Sequence, residues 1–481
     1  MKLLILKNKT SMMIKKFLVL TILFVSILNF SQEKLEPKVD ERVEIVSVVF
    51  RLAGAEEYSQ NDNKKYVADI NTYFDAYKNS EIIEFIKENR NKNGLGYDAV
   101  MSMALHLSFT NGKFSLIKEK ENSLDKRWEK VDTKRFVSLL NQFYEKTDFQ
   151  KFFDNHSGEY KKAEIEYQTS VLSDFNQDWY SKFYGKKANE DYKIILGYGN
   201  GGGNYGIKIH PEKSKTIVNA VIGVWSFDKD GNAKFDKNEF QPLLIHEFNH
   251  SFVNYILEMN GNTLKLENSG KIIYELVKKD MESQAYGNWE TMINESLVRA
   301  AVVWYMIDNK YSQKDIDEEI FIQEKRKFLW MKELVDLLGM YQNNRKKYPS
   351  FESFYPEIIS FYNKLAPRMK TIIADYEQKQ PKVQSISPDV RNKNDVDPAI
   401  QEITIYFDRE MAEGVSISIG STGKEHFPLK KLVGFVNDHK GITLLTEMKP
   451  NTEYEFVLTG NKFKSKEGYP LKETVIKFKT K

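Results

Sequence analysis

The sequence predicts an α+β protein: a helix-rich region carrying a small β-sheet, followed by an all-β sandwich. Three observations predict it. Apolar residues recur at three- and four-residue spacing through most of residues 66–376, and short β-branched segments at 194–196, 206–209 and 217–227 interrupt that spacing. Beyond residue 380 the apolar period changes to two. With hydrophobic residues at 41% and only 12 prolines in 481 residues, the chain is a folded one, and at roughly one domain per 150 residues it needs more than one core.

At the start, Lys15 and Lys16 precede an apolar run over residues 17–30, followed by Ser31 and Gln32. This is the layout of a secretory signal peptide, and the run is shorter than the roughly 20 residues a membrane span needs; a short anchor is the alternative. The expectation is export, to a secreted, periplasmic or cell-surface location, without a transmembrane span in the mature protein. The chain has no cysteine, which rules out a lipoprotein anchor.

Residues 43–52 are rich in β-branched side chains and read as a strand. Apolar spacing then predicts helices near 66–77, 80–88, 97–107, 134–144 and 160–183, and, after the three strands, near 240–257, 271–281, 289–307, 318–338 and 351–376. The polar stretch Gln378-Lys379-Gln380-Pro381 marks a boundary. Past it Ile403, Ile405 and Phe407 alternate with polar neighbours, and 454–458 and 475–478 do the same. The predicted organisation is a signal peptide at 1–31, a catalytic domain at 32–380 and a β-sandwich at 381–481.

Lys+Arg 71 against Asp+Glu 68 leaves a formal charge of +3, too near balance for a nucleic-acid footprint. The missing cysteines exclude disulfide scaffolds, thiolate metal sites and thiol nucleophiles, so any metal must use nitrogen and oxygen ligands. Among only 7 histidines, His246 and His250 flank Glu247 in an H-E-x-x-H motif framed by Leu243, Leu244, Phe248 and Val253. Four residues apart on a helix, the two imidazoles share a face and can reach one zinc ion. Glu247, beside them, can accept a proton from an activated water. The plainer alternative is a helix whose histidines satisfy buried hydrogen bonds.

A catalytic zinc needs a third protein ligand and an open position. The segment from Trp289 through Glu290, Asn294 and Glu295 to Arg299 resembles the second helix of gluzincin metallopeptidases, whose glutamate completes a two-histidine, one-glutamate site. By that resemblance Glu295 is the third ligand, and Arg299, one turn on, holds its carboxylate; the alternative is an ordinary helix ion pair. Glu290 is the reserve ligand, in a first turn where the dipole alone favours a carboxylate, and His210 upstream is a further alternative.

The pieces Phe50-Arg51-Leu52-Ala53-Gly54, Tyr97 to His106 and His246 to Phe252 together resemble a bacterial family of uncharacterised exported proteins classed as gluzincin-like metallopeptidases. The resemblance implies a zincin-like catalytic domain, one zinc per chain and hydrolysis of a peptide or protein. The gap from His250 to Glu295 is longer than in thermolysin-like enzymes, and no clear histidine or tyrosine oxyanion donor follows. Ser387-Pro388, Phe407 to Met411, Lys449-Pro450-Asn451-Thr452-Glu453-Tyr454 and Gly468-Tyr469-Pro470-Leu471 resemble bacterial Ig-like domains, which implies an accessory module open to a cell-surface partner.

Gly197, Gly199 and Gly202 satisfy G-x-G-x-x-G, but strand-like sequence follows, which argues against a dinucleotide site and for a flexible glycine turn. A sharper reading makes this turn and strand the edge of a substrate cleft, with Asn204 and Tyr205 as contacts. Asp228, Asp230, Asn232 and Glu239 nearly match a calcium loop; Ala233 replaces its glycine, and a hairpin turn at Asp230-Gly231 is the default. Lys325-Arg326-Lys327 and Arg345-Lys346-Lys347 read as solvated faces. The expected function is an exported zinc metallopeptidase with Glu247 as general base. The rivals are a zinc hydrolase of a non-peptide bond and an exported binding or adhesion protein with a structural metal.

Overall fold

The computed structural model describes residues 35–60, 62–187 and 189–481; the expected signal segment 1–31 lies outside the described residues. The chain divides into two compact units, one of residues up to 175 with 189–244 and one of residues 176–188 with 245–481.

The first unit holds helices α1 (Glu41–Leu52), α2 (Lys64–Phe74), α3 (Glu81–Asn93), α4 (Asp98–Leu105), α5 (Thr133–Thr147), α6 (Phe149–Asn155) and α7 (Ser157–Ser170). Its strands are β1 (Pro37–Lys38), β2 (Leu107–Thr110), β3 (Lys113–Leu116), β4 (Asp191–Gly197), β5 (Tyr205–Ile209) and β6 (Ile217–Gly223). β2 and β3 form a hairpin, and the others form one sheet in the order β1-β4-β6-β5. β4 runs parallel to both β1 and β6, whereas β5 is antiparallel to β6 and forms one edge.

Residues 43–52, expected as a strand, are helical. Asp40 caps α1, its carboxylate accepting the Arg42 N–H at 2.9 Å, and every residue from Val43 to Phe50 is buried. β-branched residues cost a helix only a few tenths of a kcal/mol each, which burial on all sides outweighs. The glycine turn after β4 is tied to this helix: buried Glu44 accepts the backbone N–H groups of Tyr198 (2.7 Å) and Gly199 (2.9 Å) and the Tyr66 hydroxyl (2.7 Å). The turn is therefore clamped, in place of the flexible turn expected. Gly223 lies so close to it that a Cβ there would sit 2.2 Å from the Gly201 carbonyl oxygen.

The second unit contains α8 (Asp178–Tyr184), α10 (Asn262–Glu282), α11 (Trp289–Asp308), α12 (Gln313–Lys325), α13 (Met331–Asn343), α14 (Phe351–Leu365) and α15 (Met369–Lys379). Helix α9 (Lys237–Glu258) starts in the first unit and enters the second at Ile245. α11 is buried nearly all round, and α10, α12 and α13 pack against it. Three expected helices are broken. The one at 160–183 stops at Ser170 and resumes as α8. The one at 318–338 ends where Lys327 takes a left-handed conformation (φ 71°), and the one at 351–376 is interrupted by a short 3₁₀ turn containing Pro367.

After α15 the regular elements are strands, apart from one 3₁₀ turn (Lys424–His426): β7 (Val383–Ser387), β8 (Glu402–Phe407), β9 (Ile417–Ile419), β10 (Leu429–Val436), β11 (Gly441–Thr446), β12 (Glu453–Leu458) and β13 (Thr474–Lys479). They form two antiparallel sheets, ordered β10-β11-β8-β7 and β13-β12-β9. The inward side chains of their alternating strands, among them Ile403, Ile405, Phe407, Leu444, Phe456 and Ile476, make one core.

Candidate metal centre

The motif histidines lie on α9 and the third acid on α11. Asp236 starts α9 by accepting the Asn238 N–H at 2.8 Å, and Asn288 starts α11 by accepting the Thr291 N–H at 2.7 Å. Buried Asn249 joins the two helices: its amide donates to the Val298 carbonyl (3.2 Å) while its oxygen accepts the Tyr184 hydroxyl (2.9 Å). This fixes which faces meet.

There the Nε2 atoms of His246 and His250 are 3.2 Å apart. One oxygen of Glu295 is 3.4 Å from His246 Nε2, and the other is 3.4 Å from His250 Nε2. Ligand atoms about 2.0–2.1 Å from a tetrahedral zinc are separated by about 3.4 Å, so these spacings fit such an ion. The nitrogen and oxygen donor set fits it as well. Among the described residues, His246, His250 and Glu295 are the group of three side chains able to hold a metal.

The neighbours prepare these donors. His250 Nδ1 is 3.1 Å from the Asn254 side-chain oxygen, an acceptor that places the ring proton on Nδ1 and leaves Nε2 its lone pair. Burial, together with the positive field of Arg299, holds His246 well below the ordinary histidine range, so its ring is neutral. Arg299 donates to Glu295 (3.2 Å), to the Tyr286 hydroxyl (2.6 Å) and to the Gln323 oxygen (2.9 Å), and the Gln323 amide donates in turn to Glu319 (2.5 Å). Glu295 and Arg299 are thus the expected pair, extended by a network.

Glu247 stands beside the triad, close enough for its charge to interact with His250, Glu295 and Arg299, and no hydrogen-bond donor among the described residues engages its carboxylate. Burial is the main force pushing its carboxyl up to about 7. The reserve ligand Glu290 lies in the first turn of α11 and takes no part in the triad. His210 belongs to the first unit, with its Nδ1 2.9 Å from the Thr216 hydroxyl.

Asn204 and Tyr205 also lie in the first unit, Tyr205 at the start of edge strand β5. Asn204 braces the glycine turn, accepting the Gly223 N–H (3.0 Å) and donating to the Gly202 carbonyl (3.2 Å). At the calcium-like loop, Asp228 accepts the backbone N–H groups of Asp230 and Asn232, both at 2.9 Å, and Gly231 has φ 80°, which is the default hairpin turn. Glu239 is on the first turn of α9.

Sequence reading missed Asn249, Asn254, Tyr286 and Gln323. Asn249 carried a usable signal, since a polar residue one position before His250 interrupts an apolar face; the other three are brought in only by packing.

A family model described as "Domain of unknown function (DUF4932)" matches residues 35–361. No curated protein matches the chain. Among solved structures, CopC from Methylosinus trichosporium OB3b is 18% identical over 21% of this chain and 93% of its own, with a TM-score of 0.18. PcoC, a methionine-rich copper resistance protein from Escherichia coli, is 18% identical over 21% of this chain and 99% of its own, with a TM-score of 0.17. Domains 1–6 of the surface layer protein SbsC are 14% identical over 48% of this chain and 33% of theirs, again at 0.17. TM-scores this low carry no argument about fold or function.

Proposed function

The chain belongs to the DUF4932 family, and we propose that it is an exported, zinc-dependent metallopeptidase whose general base is Glu247. The observation that carries this reading is the convergence of two imidazole nitrogens and a carboxylate, 3.2–3.4 Å apart, beside a second carboxylate without a hydrogen-bonded partner among the described residues. His246, His250 and Glu295 would hold the zinc, which when bound supplies a Lewis acid that polarises the scissile carbonyl and acidifies water.

The rest follows from the chain's own side chains. Arg299 fixes Glu295, and Asn254 fixes the tautomer of His250, so the donor atoms are oriented beforehand. Glu247 accepts a proton at its carboxylate as water adds to the peptide carbonyl carbon. It returns that proton to the amide nitrogen as the C–N bond breaks, leaving a carboxylic acid and an amine, between which the remaining water proton then passes to give carboxylate and ammonium.

The C-terminal sheets we read as an Ig-like accessory module, supported by two packed antiparallel sheets around one core.

Glu247→Gln keeps the shape and removes the base. It is expected to retain bound zinc while hydrolysis of a casein-type substrate falls by about 10²–10⁴-fold. Undiminished proteolysis in this variant would remove Glu247 from the reaction.

A further inference from the structure

An open cavity of about 510 Å³ in the second unit is lined by Asp280, Gln284, Tyr286 and the run Lys325-Arg326-Lys327. It connects to the metal centre through Tyr286, whose hydroxyl accepts from the same Arg299 terminal nitrogen that donates to Glu295. Three cationic residues and one acidic residue line it. Two of them have other company, Lys325 over the Phe321 ring at 5.0 Å and Lys327 over the Tyr376 ring at 4.5 Å.

Arg326 is different. Its backbone carbonyl is held by the Gln284 amide at 3.0 Å, but its guanidinium has no ion-pair or hydrogen-bond partner among the described residues. The protein around it and the like charge of Arg299 both work against its proton, and its field extends to Glu295 and His246. A cation at the end of α12 suits the helix dipole, but the dipole would be served equally by one turned to water, away from Arg299. Arg326 and Arg299 repel each other, Glu295, Glu319 and Tyr286 offset part of that repulsion, and an anion in the cavity would offset more of it.

We propose that this cavity receives a carboxylate of the substrate, held by the Arg326 guanidinium, so that the centre selects peptides with an acidic side chain or a free C-terminal carboxylate near the scissile bond. The assignment rests on the metallopeptidase reading for the word substrate, and on the cavity for the word carboxylate. A guanidinium fork is matched to a carboxylate in geometry as well as in charge.

The test is calorimetric binding to the zinc-loaded full chain carrying Glu247→Gln, so that no hydrolysis intervenes. Three peptides of one sequence are compared: one with an internal glutamate and an amidated end, one neutral with a free C-terminus, and one neutral and amidated. At least one carboxylate peptide is expected to bind about tenfold more tightly than the neutral amidated one, and the arm that does so identifies the source. Arg326→Ala should abolish the difference without altering zinc content or the affinity of the neutral peptide, and Arg326→Lys should keep part of it. Equal binding of all three peptides, or a preference that survives Arg326→Ala, overturns the proposal. A preference found in a chain that cleaves none of these peptides as wild type would leave the cavity assignment standing and remove the peptidase reading instead.

Discussion

At the level of single residues, the centre depends on how a buried carboxylate is held. Glu295 has two imidazoles on one side and Arg299 on the other. Burial opposes the Arg299 charge, while Glu295 and Tyr286 sustain it. Removing the guanidinium leaves Glu295 free to rotate away from the histidines. Arg299→Met is therefore expected to weaken zinc binding by about 10–100-fold, measured by competition with a chelating dye, while far-UV circular dichroism remains unchanged. Unaltered affinity would reduce Arg299 to an ordinary helix ion pair. The sequence made His246, Glu247 and His250 visible because their spacing states its own geometry. Glu295 was visible through resemblance and Arg299 through its i+4 position. Tyr286 and Gln323 were not, because they reach Arg299 from neighbouring segments across distances that no local pattern encodes.

At the level of elements, periodicity found most helices and the later strands but misread α1. Residues 43–50 are buried on every side, so the helical stripe that would have revealed a 3.6-residue period is absent, and β-branched composition pointed to a strand. The charged exception in that run, Glu44, was the clue, because a buried carboxylate needs donors; it finds them in the glycine turn and Tyr66. Burial pushes the Glu44 carboxyl up to about 7, against the pull of these donors and with Asp40 adding to the rise. Its ordinary value is 4.5, so between pH of about 4.5 and 7 the folded chain keeps a proton that the unfolded chain has lost. The stability this contributes is complete below the lower value and disappears as pH rises through the upper one, a change of roughly 3 kcal/mol. Urea unfolding of wild type and Glu44→Gln at pH 5 and pH 8 should show the wild type losing more stability on that rise than the variant. Parallel losses in the two proteins would mean that Glu44 titrates normally.

At the level of the whole molecule, the triad and its network belong to one compact unit, which also contains the C-terminal sheets. Among the described residues no helix is long and apolar enough to cross a membrane. The change of period near residue 380 was legible because α15 ends at Lys379 and β7 begins at Val383. The sequence order of the parts could be read, but the burial of α11, which brings Glu295 to the histidines, could not. That helix is buried on nearly every face, polar residues included, so periodicity could not show which face the α9 histidines meet; Asn249 settles it.

The account stands on His246, His250 and Glu295 forming one zinc site, and the most direct measurement is zinc per chain by elemental analysis after chelation, reconstitution and gel filtration. Wild type should return with one zinc, whereas His246→Ala and Glu295→Gln, still folded by circular dichroism, should return with little or none. A wild type that takes up no zinc, or a Glu295→Gln chain that binds it as tightly as wild type, would contradict the account.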